Sequence, residues 1–259
     1  MTVQPASKVA NIVDSFVPFY DRTRAMTLFE YKKYQKEIAA IDDFADRYML
    51  LGMLECHYGN ADACRDNFSK ALNLCQEDTY CHNYIVALQW LGDFRGTYQA
   101  CEVYLGKIFA KSSLENILSF AHSYFIVDLV DKCLRRAETL SLGEFENAYE
   151  RMLYSFNAFK ATEYYCKDDE LGYSELLMDF ATEFSLFEVT GIHVNYDEED
   201  KVLHLLIMIN DGYDDNGETF VKSQEYFIDN VFERELNQRI VVSYLTGASV
   251  GGKKDVRKF

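Results

Sequence analysis

A mainly α-helical fold with a small C-terminal α+β module is what this sequence predicts, and three observations carry the prediction. Both prolines, Pro5 and Pro18, lie near the N-terminus, so residues 19–259 hold no helix-breaking proline. Apolar residues then recur at three- and four-residue spacings up to Phe184, the period of helices with one buried face. Near Phe187 that period gives way to alternation and to an apolar run, the patterns of strands.

Composition narrows the function classes. Of 259 residues, 49% are apolar and 15% aromatic, enough to build a sizeable core. The formal net charge of −16 repels nucleic acid and anionic membranes, so direct binding to either is not expected. It suits a basic partner or high solubility. The seven cysteines are odd in number and follow no basic start with an apolar run. Buried thiols in a reducing cytoplasm are the expectation. No stretch approaches the roughly 18 apolar residues of a membrane span.

Residues 1–44 read as a helical lead-in to a helical domain over 1–186. Within it Met26, Phe29, Tyr34, Ile38 and Ile41 form one apolar helical face, with Lys32, Lys33 and Lys36 turned away. Tyr48, Leu51 and Gly52, then Gly59, Cys64, Phe68 and Ala71, have the spacing of a helix, a tight turn and a second helix. Gly52 lets the second helix come close because it has no side chain. Gly59 with Asn60 and Asp62 is turn chemistry. Gly92 repeats Gly59 after 33 residues, and another such step reaches Phe125. Phe145, Ala148, Tyr149, Met152, Leu153, Phe156 and Phe159 form a further helix. Lys167-Asp168-Asp169 breaks it, and Leu176, Leu177, Phe180 and Phe184 form the next.

Residues 187–247 read as a β-β-α-β module. Ile192, Val194 and Tyr196 share one strand face, and Asp197 to Asp200 is a charged turn. Val202 to Ile209 is apolar enough for a strand covered on both faces. Phe220 to Leu236 is an amphipathic helix with Phe220, Phe227, Ile228, Val231 and Phe232 on one side, and Ile240 to Leu245 is a third strand. So small a core must dock on the helices or on another copy, which allows a homodimer through this module. Thirteen acidic and four basic residues in 187–246 concentrate the charge there. Residues 248–259 read as a flexible basic tail.

Motifs for catalysis fail on inspection. Gly247, Gly252 and Lys253 have phosphate-loop spacing, but Lys254 stands where a magnesium-binding hydroxyl belongs and no helix follows. Cys56, His57, Cys64, Cys75, Cys81 and His82 lack the short paired spacing of a zinc site. The loop from Asp211 to Glu218, with Asp214 and Asp215, does not fit the helix-loop-helix calcium pattern and reads as a solvated loop. No metal, cofactor or catalytic residue is expected.

The turn glycines, the Leu51-Gly52 pair and the Phe68/Ala71 knobs resemble the tetratricopeptide repeat over roughly residues 45–140. Cys64, Glu55 and Gln76 depart from its pattern, and the second copy is weak at Cys101 and Tyr104. The resemblance implies a groove lined by the first helix of each hairpin. It would hold Met49, Met53 and His57, then His82, Asn83, Val86 and Gln89, then Glu115, Ser119 and His122, with Trp90 in core or groove. With no Lys or Arg among them, a clamp for a terminal carboxylate is not expected. Such a groove suits a peptide with apolar anchors. The expected function is therefore a non-enzymatic adaptor that binds a protein or peptide. The alternative is an acidic inhibitor of immunity or anti-defence type, with Asp197, Glu198, Glu199, Asp200, Asp214 and Asp215 covering a partner's basic nucleic-acid site.

Overall fold

Repetition of one turn organises the first half of the molecule. In the computed structural model, which describes residues 8–20, 24–184, 187–211 and 218–246, three helical hairpins follow one another in sequence. They are α4 (Phe44–Tyr58) with α5 (Ala61–Leu74), α6 (Asp78–Trp90) with α7 (Phe94–Tyr104), and α8 (Lys111–Ser123) with α9 (Val127–Thr139). Each turn places one residue in the left-handed region: Gly59 at φ 84°, Gly92 at 71° and Phe125 at 54°. Behind each, an amide bonds a carbonyl five residues back: Asn60 to Glu55, Asp93 to Leu88 and Ile126 to Ala121. These bonds satisfy carbonyls that a helix end leaves unpaired. Asn60 and Asp93 then cap the next helix through their side chains, accepting from Ala63 and Gly96 amides. Replacing Gly92 by alanine forces a β-carbon into left-handed backbone and should destabilise the first unit by about 1–2 kcal/mol. Urea denaturation measures this, and an unchanged midpoint would contradict it.

The chain forms two compact units, dividing between Ile108 and Phe109. In the first unit, α1 (Lys8–Ser15), α2 (Val17–Tyr20) and α3 (Leu28–Ala39) precede two hairpins. Thr27 and Glu30 form a reciprocal capping box that starts α3 at Leu28. Tyr34, Ile38, Ile41 and Met26 are buried as expected, but Phe29 is 79% exposed. The cap places Phe29 in the first turn, five residues before Tyr34 and off its face. Cys64, Phe68 and Ala71 are fully buried. A β-carbon on Gly52 would lie 2.5 Å from the Phe68 ring, which is the close approach that the sequence calls for.

In the second unit, α8 and α9 are followed by α10 (Asn147–Lys160) and α11 (Lys167–Glu183). Lys167-Asp168-Asp169 does not break a helix; it begins one. Asp168, Asp169 and Glu170 sit in the first turn of α11, where carboxylates complement the helix's partial positive end. Strand β1 (Phe187–Asp197) pairs antiparallel with β2 (Val202–Asp211), and β3 (Ile240–Thr246) pairs parallel to β2 after the crossover helix α12 (Glu218–Glu233). The sheet order is β1-β2-β3.

Helices cover one face of this sheet. Ile192, Val194, Leu203, Leu205, Ile207 and Ile240 are buried, whereas Met208 and Val241 on the other face are exposed. The expectation that β2 is covered on both faces is corrected accordingly. The module packs on its own unit's helices. Ser155 Oγ of α10 donates to the Val194 carbonyl at 3.3 Å. Tyr173 Oη of α11 lies 3.0 Å from the carbonyls of both Asn237 and Ile240. Arg234, just past α12, pairs with Asp179 at 2.9 Å. On α12 the buried residues are Ser223 and Phe227, while Ile228 and Phe232 face solvent, unlike the expected single apolar side. Phe220's side chain lies outside the description.

Candidate functional site

In the first unit, α4 and α6 are the first helices of their hairpins, and the residues expected to line a groove sit on them. Met49 and Met53 are each 2% exposed, so they do not line an open groove. They belong to the core cluster that also contains Ile12 of α1, Phe19 of α2 and Phe16 between them. The N-terminal helices lie where the groove was expected. This is a correction with a plain cause: an apolar face on α4 is covered by an apolar stripe carried earlier in the same chain.

His57 marks the centre of that cover. Its ring lies 5.6 Å from Phe16, 6.2 Å from Phe19, 4.3 Å from Tyr20 and 5.7 Å from Trp90. Tyr20 and Trp90 are themselves 6.0 Å apart and close to edge-on. Both His57 nitrogens are buried and have no hydrogen-bond partner among the described residues. Burial holds its pKa down at about 4, so the ring is neutral near pH 7. Burial also raises the Tyr20 hydroxyl above the usual range.

Next to it, Glu55 is buried and accepts from Tyr31 Oη at 2.6 Å. That bond pushes Tyr31 up to about 12, aided by burial. The polar residue at the position where the repeat pattern favours an aromatic is thus held by a tyrosine from α3. Farther along the face, Asn83 Nδ2 lies 3.3 Å from Met49 Sδ. His82, Asn83, Val86, Gln89 and Trp90 are half-buried. Burial lowers the pKa of His82, and its Nε2 has no partner among the described residues.

Glu115, Ser119 and His122 of α8 belong to the second unit. Glu115 and Ser119 are exposed. His122 packs edge-on against Tyr149 at 5.3 Å and borders a water-sized cleft with Arg151 and His193. Burial, and secondarily His193, lowers its pKa to about 4.

At the acidic turn, Asp197 has a structural task. Its carboxylate accepts the amides of Glu199 and Asp200 at 2.9 and 3.1 Å, which holds its pKa down. Glu198, Glu199 and Asp200 are exposed. Asp214 and Asp215 lie outside the described residues, as do Gly247, Gly252 and Lys253. Among the described residues no group of metal-ligating side chains converges, and no helix is long and apolar enough to cross a membrane.

Sequence reasoning missed Phe16, Phe19 and Tyr20. The signal was present: Ile12, Phe16 and Phe19 recur at four and three residues, a helical stripe in the lead-in. No family model, curated protein or solved structure matches this chain.

Proposed function

We propose that this protein is a non-enzymatic adaptor of tetratricopeptide-like construction that binds a protein or peptide partner on the α4/α6 face. The observation that supports it most is the 33-residue recurrence of one turn geometry at Gly59, Gly92 and Phe125. Recurrence of one supersecondary unit at a fixed period is the mark of helical repeats, and arrays of this kind work as binding surfaces. The half-buried row His82, Asn83, Val86 and Gln89 offers the apolar and neutral-polar contacts that a peptide with apolar anchors requires.

A pull-down from the native cell at about 0.15 M and about 1 M salt tests this, because screening shortens the reach of charges from roughly 8 to 3 Å between them. A partner retained at both salts, and lost about tenfold or more with Val86→Glu, supports the adaptor. The variant's thermal midpoint should stay near that of the wild type, since Val86 is half-exposed. A basic nucleic-acid-binding partner lost at high salt, and lost with Glu198→Lys and Glu199→Lys, would replace this reading with the acidic inhibitor.

A further inference from the structure

The segment that covers His57 has the makings of a ligand. Within thirteen residues it presents Ile12, Phe16 and Phe19, exposed by 5%, 0% and 3%, with Tyr20 beside them. Its opposite side faces solvent at Asn11, Asp14, Val17 and Pro18. It is an amphipathic helical segment laid on the apolar face of another helix, the arrangement by which grooves recognise helical peptides.

The cover adjoins the packing that builds the hairpin, since Ile12, Phe16 and Phe19 share one core cluster with Cys64 and Phe68. Gly52 and Phe68 join α4 to α5, and His57 lies five residues on from Gly52. That is roughly 140° around a helix of 3.6 residues per turn, so His57 and Gly52 point to different sides of α4. Beneath the cover, both His57 nitrogens find no hydrogen-bond partner among the described residues. Burying them without partners opposes closure, and uncovering the ring returns them to water.

We propose that the α4/α6 face at His57 and Trp90 is a docking site for an amphipathic helix with aromatic anchors, and that Lys8–Tyr20 is its intramolecular occupant, displaced by a partner helix of the same chemistry. The proposal rests on the adaptor reading and specifies its ligand. A tethered occupant competes at high effective concentration, so the intact chain binds such a partner more weakly than its open face would.

The test uses the full chain, a fluorescein-labelled peptide of residues 8–20, and a Phe16→Ser/Phe19→Ser chain variant. Trp90, the chain's only tryptophan, reports cover through its emission. In the variant the emission should shift to the red while helical circular dichroism persists. The labelled peptide should bind the variant at least roughly tenfold more tightly than the wild type, and should restore the emission. A peptide carrying the same two serines should not bind. A folded variant with shifted emission that takes up no peptide overturns the proposal.

If the variant loses its helical signal, the wild-type chain cut at a protease site placed within residues 21–23 decides instead. Exchange of the cut segment for labelled peptide with helicity retained upholds the proposal; absence of exchange, or unfolding on exchange, overturns it. No cellular partner enters this experiment, so its failure is distinguishable from failure of the pull-down.

Discussion

Phe68→Ala is expected to destabilise the first unit by about 3–5 kcal/mol, the largest single loss predicted for this chain. Phe68 is fully buried, and its ring fills the space that the missing Gly52 side chain leaves. Removing it deletes transfer energy and leaves a cavity between α4 and α5. The reciprocal change, Gly52→Ala, places a β-carbon 2.5 Å from the ring. It should cost about 1–3 kcal/mol through overpacking, because the ring cannot retreat in a filled core. The two effects are not additive. With Phe68 already alanine, the added methyl meets empty space, and Gly52→Ala should then be neutral or stabilising by up to about 1 kcal/mol, since alanine outranks glycine inside a helix. Urea denaturation followed by Trp90 emission measures all four chains. Additive losses would show that α4 and α5 do not meet at this pair.

Acid should weaken the first unit well before carboxylates titrate. The folded state holds the His57 pKa at about 4, while the unfolded chain protonates near 6.5. Between those values the unfolded state binds more protons, so stability falls as pH falls from above 6.5 towards 4. Below 4 both states are protonated and the loss stops growing. By pH 5 the effect is on the order of 2 kcal/mol. His57→Phe removes the titration and keeps an aromatic ring among Phe16, Phe19, Tyr20 and Trp90. Urea midpoints at pH 7 and pH 5, read by Trp90, should differ in the wild type and differ less in the variant, where His82, also lowered by burial, still titrates. Equal losses in both would assign the acid sensitivity elsewhere. The second unit should behave alike through His122, whose pKa is also held at about 4 by burial and by His193.

These predictions differ in how they could be found. Gly52, Gly59, Phe68 and Gly92 are readable because their chemistry is local. A left-handed turn demands glycine within a few residues of a helix end, and a close crossing demands a small residue facing a large one. The β-β-α-β order and the acidic turn were readable for the same reason, since alternation and Asp-rich turns act over short stretches. Phe29 was misplaced because it stands five residues before Tyr34, roughly 140° around one and the same helix, and so cannot share the face of Tyr34 and Ile38.

Linear sequence by itself therefore determined the element types, the 33-residue recurrence and the concentration of charge. Only the tertiary structure decided what each apolar face meets. It turned Met49 and Met53 from groove residues into core residues, because they share one core cluster with Ile12, Phe16 and Phe19. It also docked the C-terminal sheet on α10 and α11, one of the two options that its small core left open. Burial of apolar surface is non-directional, so periodicity reveals which face of an element seeks cover but not which segment supplies it.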